Sequence, residues 1–158
     1  MILKKTIAVA ALVLATTPAV SQDGKTPANA YAFIARSMTD GTWQAPIEIC
    51  KGLLGTNCYA TGDRPIVSVD YQGGSYCIIR IGMRDNYEVR YRTVDLRSEL
   101  EISVNDGGQR IYFFGAIPRS GGGSLSSWEL GGSNQGLLVR VGDALLYLQE
   151  KCKPASIW

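Results

Sequence analysis

Apolar and polar residues alternate through the middle of the chain. Residues 66–71 (IVSVDY) put Val67, Val69 and Tyr71 on one face, and residues 76–81 (YCIIRI) return with Cys77, Ile79 and Ile81 on one face. Gln72-Gly73-Gly74-Ser75 between them reads as a hairpin turn. Residues 87–94 (YEVRYRTV) place Tyr87, Val89 and Tyr91 inward and Glu88, Arg90 and Arg92 outward. Residues 100–104 (LEISV) repeat the alternation with Leu100, Ile102 and Val104, and Asn105-Asp106-Gly107-Gly108 turns the chain into residues 110–114 (RIYFF), apolar on both faces. A period of two is the mark of half-buried strands, and an apolar stretch on both faces that of a central one. Shorter strands are expected around Ile47 and Ile49, over residues 58–61, and around Trp128.

The period changes near both ends. In residues 30–38, Tyr31, Ile34, Ala35 and Met38 recur at helical spacing before Asp40-Gly41. In residues 137–150 (LLVRVGDALLYLQE), Leu138, Val141, Leu145 and Leu148 do the same. Gly142-Asp143 also suits the turn of a hairpin, but the stripe continues across the glycine and favours a helix. Residues 22–29 read as a flexible start, residues 51–57 as a loop, and residues 116–127 (AIPRSGGGSLSS) as an exposed loop. Gly62-Asp63 is expected to end one strand and Pro65 to open the next. The pattern predicts a mainly β (α+β) domain: a small antiparallel sandwich or partial barrel, covered by a C-terminal helix.

The first residues change the picture. Lys4 and Lys5 precede a short apolar core, TIAVAALVLA, and Ala19-Val20-Ser21 is a small-x-small site. These predict a signal peptide over residues 1–21, cleavage between Ser21 and Gln22, and a single periplasmic or secreted domain over residues 22–158. Removing Lys4 and Lys5 from 16 Lys+Arg leaves 14, against 14 Asp+Glu. A neutral mature chain has no global attraction to nucleic acid or to anionic membrane. No later run is long enough for a transmembrane helix, and the strands are short for a membrane barrel despite the terminal Trp158, so no stable membrane insertion is expected.

Four cysteines in an exported chain predict two disulfides. The preferred pairing is Cys50–Cys58 and Cys77–Cys152, with Cys50 to Cys77 or to Cys152 left open. None of the spacings resembles a zinc site, and no metal or other cofactor is expected. The chain has no histidine. Ser-His and Cys-His catalysis and histidine metal ligation are therefore excluded.

What remains for recognition is arginine and aromatic side chains, the residue types that anchor interfaces. Arg90 and Arg92 on one strand, with Arg80 and Arg84 on the neighbouring arm, offer an anion-binding face, unless Glu88, Glu99 and Glu101 simply neutralise it. Tyr71, Tyr87 and Tyr91 fit the core, whereas Tyr59, Tyr76, Trp128 and Trp158 are less easily placed inside. The candidate binding residues are Arg80, Arg90, Arg92, Tyr59, Tyr76 and Trp128. For catalysis the only carboxylate pairs are Glu99 with Glu101, or Asp63 with Asp70, and exposed acids on strands are ordinary. Gly121-Gly122-Gly123 beside Arg119 matches no phosphate-loop motif.

Trp43 precedes Cys58-Tyr59-Ala60 and Pro65. Far downstream come EISVNDGGQRIYFF, a lone Trp128 and an apolar stretch from Leu137. This order of features resembles the invasion-associated locus B proteins, exported β-rich proteins of α-proteobacteria, over about two-thirds of the mature chain. Cys50, Cys77, Cys152 and the glycine-rich segment before Trp128 depart from it. The resemblance implies association with the envelope or a host surface and carries over no catalytic residue.

Together these readings lead to a non-enzymatic, disulfide-stapled binding module contacting a protein or glycan partner, with an inhibitor or a host-interaction factor as sharper versions. An accessory subunit of a cell-envelope assembly and a histidine-free hydrolase or lyase using carboxylates are the alternatives.

Overall fold

The computed structural model describes residues 26–51, 57–105, 107, 109–119 and 122–154, without the side chains of residues 50, 51, 57 and 58. In order, the elements are α1 (Pro27–Met38), β1 (Trp43–Lys51), β2 (Asn57–Gln72), β3 (Ser75–Asp85), β4 (Glu88–Asp95), β5 (Glu101–Asn105), β6 (Arg110–Pro118), β7 (Ser124–Gly132) and α2 (Gln135–Cys152). The strands form one antiparallel sheet in the order β4-β3-β2-β1-β7-β6-β5. It is not a closed barrel.

Strand β2 serves two ladders. Its first half pairs with β1 as far as Gln44↔Pro65, and its second half pairs with β3 from Ile66↔Met83. Pro65 therefore does not open a new strand, as its sequence context suggests. It sits inside a continuous one, at the handover between partners, where a residue without an N–H is best tolerated. The sheet folds over at this strand, so that β4 approaches β6, and Arg92 Nη1 on β4 donates to Pro118 O on β6 at 2.9 Å.

The core lies inside this fold. Ile79, Ile81 and Met83 of β3 are buried, as their alternation predicts. Trp43, Ala45 and Ile47 of β1, Ile111 and Phe113 of β6, and Leu130 of β7 join them. Two faces differ from the alternation. On β2 the buried residues are Ile66 and Val69, brought to one face by the register shift between Ile66 and Ser68, whereas Tyr71 keeps the face of Val69 but lies near the end of the strand, partly exposed against Tyr31 and Tyr76. On β4 the expected faces are inverted. Arg92 and Val94 point inward, opposite Ile81 and Ile79, while Tyr87, Val89 and Tyr91 are exposed. Both faces of β4 carry apolar groups, and the inward choice is fixed by partners that wait for Arg92 inside.

Both helices close the core. Pro27 occupies the first turn of α1 behind Thr26, whose side chain accepts from Asn29 N at 3.1 Å. This cap starts the helix earlier than the apolar stripe alone indicates. Ile34 and Met38 are fully buried, and Tyr31 Oη donates to Val69 O on β2 at 2.7 Å. Residues 137–150 belong to a helix and not a hairpin. Asn134 caps α2 by accepting from Leu137 N at 3.0 Å, and Leu138, Val141, Leu145 and Leu148 are all buried. Gln149 Nε2 donates to Leu100 O, tying α2 to the start of β5. Gly142 is a close-packing site: a Cβ there would stand 2.3 Å from Val104 Cγ2 on β5.

Much of the stretch over residues 116–127 is hairpin and not loop. Ile117 pairs with Leu125, Pro118 with Ser124, and Arg119 N donates to Gly123 O at 3.1 Å. Cys77 on β3 and Cys152 at the end of α2 form a disulfide across 75 residues of sequence. The ladder sets Cys50 opposite Cys58; the pairing expected between them rests on side chains outside the described ones, and the signal segment, Gly121 and Trp158 also lie outside the described residues.

Two outcomes follow from the packing. Replacing both Cys77 and Cys152 by Ala releases a loop of this length and is expected to cost about 4 kcal/mol of stability by chain entropy, read from urea unfolding. Gly142→Ala should destabilise by about 1–3 kcal/mol through overpacking, although alanine is the better helix former. Adding Val104→Ala should restore most of that loss in the same assay.

Candidate binding site

Two strands part company where the sheet is narrowest. The β1–β7 ladder consists of Trp43↔Gly132 and Gln44↔Gly131. Small residues suit this ladder: a Cβ on Gly131 would displace the end of the Arg110 side chain, whose Nη1 would stand at 1.7 Å, and one on Gly132 would stand 3.2 Å from the Trp43 indole. Beyond these pairs β1 stays with β2, and β7 with β6. Trp128 bridges the gap, its Nε1 donating to Pro46 O at 3.1 Å.

A cleft of about 320 Å³ opens along this seam. Pro46 and Glu48 of β1, Tyr112 and Phe114 of β6, Leu125 and Trp128 of β7, and Arg92 of β4 line it. Tyr112 and Phe114 are two apart on β6 and therefore share a face. Their rings stack with centroids 5.8 Å apart at 16°. Phe114 is 41 % exposed, so the aromatic wall is open to a ligand.

Arg92 is only 5 % exposed. Besides its bond to Pro118 O, its Nη2 lies 3.6 Å from Glu48 Oε2, and its guanidinium sits 5.9 Å from the Trp128 ring centroid. Arg119 Nη2 lies 3.4 Å from the other Glu48 oxygen. One buried carboxylate is thus shared by two arginines. Burial pulls the Arg92 guanidinium below its usual pKa range, Glu48 opposes that shift, and Arg119 adds to it. The Nε atoms of Arg92 and Arg119, and Glu48 Oε2, are buried without a hydrogen-bond partner. Such groups are costly to leave unpaired.

The structure brings Arg92 and Trp128 together and separates the other candidates. Arg90 shares the inner face with Arg92, but its charge goes to Asp85 at 3.5 Å and Glu88 at 3.3 Å. Arg80 is on the opposite face, 4.5 Å from the Tyr91 ring centroid and 3.5 Å from Asp70. Arg84 is exposed on that same outer face, opposite Val89. A single four-arginine surface therefore does not form, because the register sends Arg80 and Arg84 outward and Arg90 and Arg92 inward. Tyr76 belongs to a cluster with Tyr31 and Tyr71, at 5.5 Å and 4.9 Å between centroids. Tyr59 is exposed on β2, and the lining of the cleft takes Ala60 from that strand instead.

Glu48, Tyr112 and Phe114 complete the lining, Arg119 joins it only through Glu48, and none of the four is among the candidate binding residues read from the sequence. Two signals pointed to them. RIYFF is apolar on both faces, so one face needed a further partner, and Glu48 is an acid between Ile47 and Ile49. The carboxylates considered for catalysis are dispersed. Asp63 pairs with Arg110 at 2.9 Å, Asp70 with Arg80, and Glu99 and Glu101 are exposed. Among the described residues no three His, Cys, Asp or Glu side chains gather as a metal site.

Removing one partner of a buried ion pair strands the other charge. Glu48→Gln is expected to cost about 3 kcal/mol in urea unfolding, the low end of the range for buried pairs because Arg119 is partly solvated. The double change Glu48→Leu with Arg92→Met should recover most of that stability. No family model, curated protein or solved structure matches this chain.

Proposed function

We propose that the chain is an exported, non-catalytic binding module that takes an extended segment of a protein partner into the cleft between β1 and β7. The observation that carries this reading is the seam itself. Two strands diverge after two ladder pairs and leave an aromatic-walled cleft with a charged floor. Sites that bind small groups tightly combine apolar walls with a few placed polar groups. Strand edges released from their ladder favour a peptide over a sugar, because they offer backbone donors and acceptors.

Export is supported by the charged and apolar start of the sequence and by the Cys77–Cys152 disulfide, which suits an oxidising compartment. None of the described helices is long and apolar enough to cross a membrane. The resemblance to the invasion-associated locus B proteins supports a place at the envelope or a host surface. One observation favours the second reading, an accessory subunit of an envelope assembly: Tyr87, Val89 and Tyr91 are exposed on the edge strand β4.

The test is site-specific photocrosslinking in native cells. A photoreactive phenylalanine at position 114 lies in the cleft; one at position 146, on the exposed side of α2, is the control. Position 114 should yield one stoichiometric crosslinked partner that is absent at position 146 and lost when Leu125→Trp fills the cleft. Identical products at both positions, or indifference to Leu125→Trp, would refute the proposal and turn attention to β4.

A further inference from the structure

The two edges of the sheet are finished differently. β5 is five residues long. Gln149 of α2 takes Leu100 O at its start, Gly142 packs against Val104, and Glu99 and Glu101 stand exposed. Shortness, cover and charge of one sign keep an edge from pairing. β4 ends the sheet on the other side and runs for eight residues without Pro, Lys or a bulge. Among the described residues β3 is its only strand partner, and β6 meets it from the inner side, at Arg92.

The register says which backbone groups of β4 are open. Leu96 N donates to Cys77 O at 2.7 Å, and the β3–β4 pairing runs unbroken from Ile78↔Asp95 to Asp85↔Glu88. Antiparallel residues bond a given neighbour alternately. Glu88, Arg90, Arg92 and Val94 therefore direct their N–H and C=O to β3, and Val89, Tyr91 and Thr93 turn theirs to the open edge. The same three side chains form the uncharged outer row. Val89 and Tyr91 lie close over Gly82, where a Cβ would stand 3.0 Å from Val89 Cγ1 and 3.0 Å from Tyr91 Cε1. They make an apolar shelf that reaches the edge, with Tyr87 fully exposed at its end.

An open edge takes another strand by main-chain pairing, and the side chains select the strand. The charges of β4 select a second β4. Two copies paired antiparallel about a two-fold axis can be centred on any residue from Glu88 to Arg92. Centred on Glu88, they set Glu88 against Glu88. Centred on Arg90 or Arg92, they set that arginine against itself, and centred on Tyr91 they set Arg90 against Arg92. Only the register centred on Val89 sets Glu88 of each copy against Arg90 of the other. Like charges directly opposite destabilise a strand pair, and opposite charges stabilise it. This register also joins Val89 to Val89 through their open backbone groups and lays Tyr87 beside Tyr91 of the second copy. Glu88 and Arg90 already meet within one strand at 3.3 Å, on the shared face that the pairing needs.

We infer that the chain forms a symmetric dimer through β4, paired antiparallel about Val89, so that two sheets continue as one. The second copy covers the row that hydropathy alone assigns to a core. A two-fold contact of this kind closes at two copies. The surface is distinct from the opening between β1 and β7, and the inference does not depend on what that cleft holds.

The experiment is sedimentation velocity of the oxidised mature chain from micromolar to near-millimolar concentration, joined to cysteine crosslinking. A reversible monomer–dimer equilibrium without larger species is expected. Val89→Pro removes an N–H that faces away from β3, so it should leave the monomer folded and abolish the dimer. Glu88→Lys, at a side chain 73 % exposed, converts both ion pairs into like-charge contacts. It should weaken dimerisation at least about tenfold. Val89→Cys should yield an interchain disulfide on mild oxidation. Thr93→Cys should not, because its two copies would lie about 27 Å apart along the strands. A monomer at every concentration, growth beyond the dimer, or a dimer indifferent to Glu88→Lys would overturn the inference. So would the absence of a crosslink at position 89, or equal crosslinking at positions 89 and 93. The crosslink at position 114 reads the cleft separately and stands or falls without this result.

Discussion

Strand β2 belongs to both halves of the sheet, and the rest of the architecture depends on how it changes partner. Its handover at Pro65 and Ile66 lets β3 and β4 fold back over β6 and β7. Only that fold carries Arg92 to Pro118 O, buries Trp128 beneath β1, and encloses Ile81 and Phe113 in one core. A straight β2 would leave a flat sheet with two open faces, which two helices could not cover. The bend therefore sets the core and the candidate site in one step.

The parts of the fold that were legible in the sequence are those where one period dominates. Leu138, Val141, Leu145 and Leu148 draw a helical stripe that no hairpin reproduces, and Gly142 is explained by its approach to Val104. Ile79 and Ile81 draw an equally plain strand. On β4 the reading fails, because Tyr87, Val89 and Tyr91 on one face compete with Arg92 and Val94 on the other, and hydropathy picks the aromatics. A long-range partner decides the matter, and periodicity carries no information about Glu48. On β2 a bulge breaks the count. Residues 116–127 were hidden for a different reason. Their glycines and serines have little strand propensity, so the hairpin there is held by pairing with neighbouring backbone.

The candidate site was half legible. Arg92 and Trp128 were recognised as residue types suited to binding, but the grouping of Arg92 with Arg80 and Arg84 followed from sequence proximity and not from register. What brings Arg92, Arg119, Glu48 and Trp128 together is the meeting of strands far apart in the chain. A buried ion cluster of this kind is a poor source of stability, since desolvation offsets most of the attraction. Apolar groups in place of both Arg92 and Glu48 would hold the core about as well.

The short β1–β7 ladder has a mechanical consequence. It divides the sheet into two blocks, β1 to β4 and β5 to β7, each held internally by longer ladders. Distortion within a block breaks several backbone bonds, whereas rotation of the blocks about the seam breaks two ladder pairs. Side chains carry the rest of the joint: Trp128 to Pro46, Arg92 to Pro118 and Arg110 to Asp63. Cys77 lies in the first block and Cys152 in the helix that follows the second. The covalent link thus adds a tie between the first block and the helix that the backbone ladders do not supply.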